Sequence, residues 1–259
     1  MSSLLYLAYG IVWLFRFALG ACVFSFLNVV AARLPRGESI LRGRSHCEEC
    51  GHTLAAWELI PCISFLLLGG KCHACGARLS PRYVLTETLG GALSCACALR
   101  FGGETAQAAL AFASLCILTV VALMDWDTME IWDRFNILLA LCGAAAFFVF
   151  PEVSWRSRII GLFAISVPML VLALVIPGGF GGGDIKLMAA AGLLLGWQSA
   201  ICAVLFGILT GGAYGIALLA RRKAGRRDHF AFGPFLCFGA AIALFFGQDI
   251  VNWYIGLLF

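Results

Sequence analysis

Long uncharged apolar runs leave this chain few folds to choose from. From 159 to 177 no residue carries a charge, and comparable runs recur from one end to the other. A soluble domain has about a quarter of its residues charged; here 12% of 259 are, and 62% are hydrophobic. In a bilayer the backbone must satisfy its own hydrogen bonds, so only helices or a closed barrel can cross. The runs are continuous rather than alternating, which points to helices. The expected spans are 7–30, 83–99, 106–124, 135–150, 159–176, 187–195, 199–220 and 230–259, the sixth being short. They predict an all-α polytopic membrane protein with about eight transmembrane helices. The opening run, 4–32, is too long for a signal-peptide core and has no small-residue cleavage site ahead of the charged stretch, so it reads as a retained span.

One stretch breaks the pattern. Residues 33–82 carry charges, glycines, histidines and paired cysteines, with too little apolar material for a core. A segment that small needs a staple. The expected organisation is a first transmembrane helix (1–32), a small water-facing insertion (33–82) and a helical membrane domain (83–259). Cys47-Glu48-Glu49-Cys50 and Cys72-His73-Ala74-Cys75 are two C-x-x-C pairs at near zinc-ribbon separation. Two such turns supply four thiolates to one tetrahedral ion, and Gly51 and Gly76 follow each pair as a knuckle turn requires. The expectation is a structural zinc site of Cys47, Cys50, Cys72 and Cys75. Disulfide pairing is the competing reading. The other eight cysteines are scattered in apolar sequence and read as small hydrophobes.

Basic residues test the topology. With eight spans and 33–82 inside, every one of the 18 Lys and Arg except Arg16, Arg100, Arg156 and Arg158 falls in an inside loop. Excess of Lys and Arg marks cytoplasmic loops, so the cysteine segment is expected in the cytoplasm and both termini outside. That side disfavours disulfides. It also puts two acidic clusters on one face.

The first cluster, Asp125, Asp127 and Asp133, follows the third span; Asp125 comes directly after Val120-Val121-Ala122-Leu123-Met124. The second is Asp184, after Gly181-Gly182-Gly183. A carboxylate at a membrane boundary is costly and asks for a reason. Three glycines permit backbone conformations closed to other residues and let another chain come close, but the run does not match a nucleotide-binding loop. Two carboxylates held together cannot both ionise easily; one keeps a proton as general acid while the other activates water. A proton relay in a transporter uses edge carboxylates equally well, and chemistry alone leaves both readings open. For Asp127 and Glu130 a solvated loop suffices. Lys186 reads as a membrane anchor, or as a charge lowering the pKa of Asp184. Asn28, inside the first span, reads as a helix-packing amide as readily as a functional one.

Taken together, these motifs resemble the type IV prepilin peptidases, bifunctional leader peptidases and N-methyltransferases of the membrane-embedded GxGD aspartic protease class. Asn28-Val29-Val30-Ala31-Ala32-Arg33-Leu34-Pro35 with Gly37-Glu38-Ser39 is similar to the family's N-V-V-x-x-R-L-P and G-E-S signature. Ser45-His46-Cys47 to Cys50, Ile60-Pro61-Cys62-Ile63-Ser64 and Cys72 to Cys75 resemble its cytoplasmic zinc segment. Arg82-Tyr83 with Glu87 resembles its R-Y-x-x-x-E. The family's D-x-D-x₅-D pattern falls on Asp125, Asp127 and Asp133, and its G-x-G-D on Gly181-Gly182-Gly183-Asp184. Three positions depart from the pattern. Trp132 stands for the usual proline before the third aspartate, Glu130 for an apolar residue, and Glu48 for the proline after the first cysteine.

The resemblance implies a fold, an activity and partners. Asp125 and Asp184 would be the catalytic pair in a multi-pass protein of the bacterial inner membrane, with active site and zinc segment on the cytoplasmic side. Gly181, Gly183 and Lys186 would line the substrate loop. The substrate would be a prepilin or a type II secretion pseudopilin, with a short basic leader and then an apolar helix. S-adenosylmethionine would donate a methyl group to the new N-terminal amine, with Gly37, Glu38 and Gly70 as candidate contacts. The bilayer is the other implied partner; nucleic acid is not one. The rivals are a proton-coupled transporter that uses the same carboxylates, and a scaffold whose zinc segment recruits partners.

Overall fold

The computed structural model describes residues 2–102, 105–176, 180–221 and 230–258. The expected loop cations Arg222, Lys223, Arg226 and Arg227, together with Pro177 and Phe259, lie outside the described residues. Everything regular among them is helical apart from two isolated β-bridges, His46 with Thr53 and Lys71 with Arg78. Helices α1 (Ser2–Arg33), α2 (Ile63–Leu67), α3 (Pro81–Arg100), α4 (Thr105–Thr128), α5 (Asp133–Val149), α6 (Trp155–Ala164), α7 (Ser166–Val175), α8 (Gly182–Leu195), α9 (Trp197–Ala220) and α10 (Gly233–Leu258) follow in order. Every expected apolar run is helical. Among the described residues five stretches are long and apolar enough to cross a membrane: Leu4–Arg33, Thr105–Thr128, Trp155–Val175, Trp197–Ala220 and Gly233–Leu257. The others fall short of the roughly 20 apolar residues a span requires: α5 has 17 residues, α8 has 14, and α3 includes Arg82, Glu87 and Arg100.

The chain forms two compact units, 1–103 and 104–259. In the first, α1 packs along α3. Small residues let the backbones approach closely: Gly20 abuts the Gly90 carbonyl, and the Phe17 and Phe24 rings cover Gly91 and Gly90. Asn28 donates to the Thr86 hydroxyl across this interface, both side chains buried, which is the packing role open to it from sequence. The start of α3 follows from Pro81 in its first turn and Ser80 before it, whose hydroxyl accepts from Arg82 N at 3.3 Å.

In the second unit α8 is the hub. It packs against α5, α6, α7, α9 and α10, while α10 also packs on α4 and α9. Leu187, Met188 and Ala191 on α8, Leu115, Val121 and Met124 on α4, and Leu236 on α10 are all nearly or completely buried. Gly161 and Gly192 bring α6 and α8 into backbone contact. The long apolar run 155–175 is broken at Ile165, because Pro168 cannot donate to the residue four back and its ring crowds that carbonyl. Gly196, at φ +80°, turns α8 directly into α9.

The sequence reading places Arg158 in an outside loop. It is instead 0% exposed on α6. Its guanidinium donates to the carbonyls of Phe150 (2.8 Å) and Leu194, and it lies 5.5 Å from the centre of the Phe147 ring. The last carbonyls of α5 and α8 have no partner within their own helices and carry the negative end of the helix dipole. A buried cation satisfies both helix ends at once. Periodicity gives no hint of this, because the partners are main-chain atoms distant in sequence.

Candidate active site

Gly181-Gly182-Gly183-Asp184 is a helix start. Gly181 is the extended residue before α8 (φ −72°, ψ 146°), and the carboxylate of Asp184, three residues on, accepts from its N–H at 3.2 Å. This closes one of the orphan donors of the first turn. None of the three glycines has positive φ, so the expectation of special backbone geometry is corrected here; close approach is the reason for at least one of them. A Cβ on Gly183 would lie 2.7 Å from that of Ile131, whereas a Cβ on Gly182 would meet open space.

Asp125 lies in the last turn of α4 and is 5% exposed. Its carboxylate accepts from Gly233 N–H at the start of α10, at 2.9 Å. Gly233 has no room for a side chain: a Cβ there would lie 2.7 Å from Asp125 Oδ2 and 2.9 Å from Ile131 Cδ1. One face of Ile131 therefore covers Gly183, next to Asp184, and another covers Gly233, bonded to Asp125. The two carboxylates sit around a single isoleucine. They sense each other: burial first, and then the charge of Asp125, push Asp184 up to about 6, against the hydrogen bond from Gly181. Cys237, one turn into α10 and buried, is close enough to interact electrostatically with both.

The connection from α4 to α5 makes this possible. Met129 adopts φ +56°, an unusual conformation for a side chain other than glycine, and its N–H closes on the Asp125 carbonyl at 2.8 Å. Trp132 precedes α5 with φ −79° and ψ 132°. Those angles are open to proline, so the departure from the family pattern leaves the turn in the shape a proline would hold. The Arg134 guanidinium stacks 4.5 Å from the Trp132 ring. Lys186 donates to both oxygens of Asp133, at 2.8 and 2.7 Å, in an exposed pair joining α8 to α5. Lys186 is thus held by Asp133, and is not among the causes of the raised Asp184 pKa. An aromatic bank flanks the site: Trp126 against Tyr214, Tyr214 against Phe235, and Phe180 against Phe232, with ring centres 5.7, 5.3 and 6.0 Å apart.

The cysteine segment of the other unit is made of two copies of one turn. Cys47 N donates to His52 O and Gly51 N to Cys47 O; Cys72 N donates to Ala77 O and Gly76 N to Cys72 O. Gly51 and Gly76 adopt φ +71° and +73°. The four sulfurs lie within 4.8 Å of one another, with Cys47 to Cys75 at 3.9 Å and Cys50 to Cys72 at 4.0 Å. A tetrahedral ion with bonds of ~2.3 Å sets sulfur separations of about 3.8 Å, so the donor set fits zinc. All four are free thiols. The residues offered for a methyl donor each bond to nearby backbone. Gly37 and Glu38 form an exposed turn bonded to Leu34 and Arg33, while Gly70 bonds to Phe65 and Leu79. None of the three presents a buried polar group, and no step is assigned to them. Glu87 is buried and accepts from Cys62 N at 2.8 Å.

Comparison with protein families decides the relationship. Residues 18–101 match the bacterial peptidase A24 N-terminal domain, and residues 112–216 match the type IV leader peptidase family. A protein of Bacillus subtilis (strain 168) named prepilin leader peptidase/N-methyltransferase is 35% identical over 239 residues, 92% of this chain and 96% of its own length. The chain belongs to the type IV leader peptidase family. Proteins of the same name from Aeromonas hydrophila and Myxococcus xanthus (strain DK1622) are 33% and 37% identical, covering 98% and 82% of this chain and 99% and 65% of their own lengths. No solved structure matches. The second family match spans both Asp125 and Asp184. Gly233 and Cys237 lie beyond it; Gly233 escaped the sequence reading, in which Cys237 reads as a small hydrophobe. The signal for the first is Phe232-Gly233-Pro234, a glycine and a proline opening a helix.

Proposed function

We propose that this chain is an aspartic endopeptidase of the membrane that removes the leader from prepilins or pseudopilins and then methylates the new N-terminal amine. The pairing of Asp125 and Asp184 around Ile131, in a member of this family, carries the reading. The two groups share one proton. The ionised carboxylate takes a proton from water as it attacks the scissile carbonyl, and the protonated one donates to the carbonyl oxygen. Collapse of the tetrahedral intermediate returns a proton to the departing amine. Desolvation at the inner ends of α4 and α8 favours the singly protonated pair. The N–H groups of Gly181 and Gly233 each hold one carboxylate in place. Gly181 and Gly182, which no side chain from another helix covers, leave the approach to Asp184 open to an extended substrate, while Gly183 is taken up by Ile131.

In this reading the insertion 33–82 holds one structural zinc ion on Cys47, Cys50, Cys72 and Cys75, which stabilises a segment with no core of its own. S-adenosylmethionine supplies the methyl group when bound. The helical protein passes the bacterial inner membrane several times, and the charge distribution favours a cytoplasmic insertion and active site. The relay reading of the carboxylates finds no support in the family assignment. The deciding experiment is cleavage of a prepilin-like peptide by the purified protein in proteoliposomes, with Asp125→Asn and Asp184→Asn as controls. Full cleavage by either variant rejects the dyad.

A further inference from the structure

Asn136 lies in the first turn of α5 and is 5% exposed, yet neither its Nδ2 nor its Oδ1 has a hydrogen-bond partner. Among the described residues no other side chain has two polar atoms buried and unpaired. Buried amides are expensive when unsatisfied, and a leucine of similar size would fill the position at lower cost. An unpaired amide retained at such a place calls for a partner that comes and goes.

The position tells which partner. Helices α5 and α8 run side by side in the same direction: Ile131 faces Gly183, Asp133 bonds Lys186, and Gly143 backs onto Leu193 and Leu194. Asn136 is three residues beyond Asp133, ~4.5 Å further along the axis. It therefore falls beside the turn of α8 that begins with Asp184. Across the 129–132 connection, α4 packs on α5 and ends with the turn that carries Asp125. Asn136 thus lies about one helical turn beyond the level of Asp184.

A primary amide presents one donor and one acceptor side by side, the complement of a peptide group. A peptide drawn out to reach a carboxylate pair gives up its intrahelical bonds in surroundings short of water, and its N–H and C=O need new partners. We propose that Asn136 binds the substrate backbone, its Nδ2 donating to a peptide carbonyl and its Oδ1 accepting from a peptide N–H beside the scissile bond. This rests on the peptidase reading above.

Asn136→Leu in the full-length protein tests it, with a synthetic peptide of basic leader and apolar helix as substrate. The expected result is an unchanged or higher melting temperature with kcat/KM down roughly ten- to a hundredfold. In the cleavage-dead Asp184→Asn background, adding Asn136→Leu weakens binding of the same peptide by a similar factor. Wild-type kcat/KM in Asn136→Leu overturns the inference. So does a melting temperature that falls in step with activity, which makes the amide structural. Unchanged peptide binding with a loss confined to kcat also overturns it, by assigning the amide to the attacking water. If the wild-type protein does not cleave the peptide, the peptidase reading fails and this inference with it; cleavage by wild type and variant alike sinks the inference alone.

Discussion

The two sites are built on opposite principles. The cysteine cluster comes from one local turn used twice, each with its own glycine at positive φ and its own two backbone hydrogen bonds. The carboxylate site draws on α4, the 129–132 connection, α8 and α10, and the hydrogen bond that holds Asp125, from Gly233, spans 108 residues. A thiolate knuckle carries its geometry in its spacing, since two sulfurs on one tight turn point the same way in any setting. A carboxylate pair has no such spacing; helix packing alone brings its members together.

That contrast can be broken by experiment. The largest effect belongs to the carboxylates: Asp125→Asn or Asp184→Asn lowers the cleavage rate on the order of 10³-fold while the zinc content, measured by elemental analysis, stays at wild-type level. Cys47→Ser with Cys72→Ser does the converse. It removes the metal and lowers thermal stability and methyl transfer, with cleavage retained; equal loss of both activities would point to a general folding role for the insertion.

Crowding gives a smaller effect and tests the role of Ile131. Gly183→Ala places a methyl group where Ile131 Cβ already is, and costs about 1–3 kcal/mol in stability together with activity. Ile131→Gly in the same protein, which removes the clashing Cβ, restores part of both. Without rescue, Ile131 is not the shared wall of the site.

Acidity follows. The folded chain keeps the Asp184 proton up to about pH 6, above the ordinary carboxylate range. The folded state therefore binds more protons than the unfolded one in that window, and this group's contribution to stability falls as pH rises through it. Cleavage depends on the shared proton and declines on the alkaline side of the same window. In Asp125→Asn one of the two causes is gone, so infrared titration of Asp184 reads a lower value. An unmoved value would separate the carboxylates. Smallest is Lys186→Met: an exposed pair with Asp133 is worth ~0–1 kcal/mol, so melting temperature and kcat barely change.

Much of this was legible in residues taken singly. Every apolar run became a helix, since an uncharged stretch in lipid has no alternative, and the Cys47 to Cys75 quartet converged as its spacing required. The glycines before Asp184 were legible as important but misread in mechanism. They suggest unusual φ, yet Gly183 serves contact with Ile131, and contact between distant residues leaves no periodic trace. Lys186 looked like a neighbour of Asp184 because the two are close in sequence. On a helix, residues two apart face different ways, and Lys186 reaches Asp133 instead. Trp132 looked like a break in a turn, but the angles there suit tryptophan and proline alike.

What sequence by itself determined was chemistry and environment: which side chains can hold a metal or a proton, and that most of the chain is apolar enough to need lipid. Both are properties of composition and short spacing, and survive without knowledge of any partner. Tertiary structure alone decided which groups meet. It set Asp125 and Asp184 around Ile131, put Gly233 under Asp125, buried Arg158 between the C-terminal ends of α5 and α8, and left the Asn136 amide unpaired in the first turn of α5. The physical reason is that each of these contacts depends on how helices far apart in sequence pack, and packing depends on shapes that no single segment encodes.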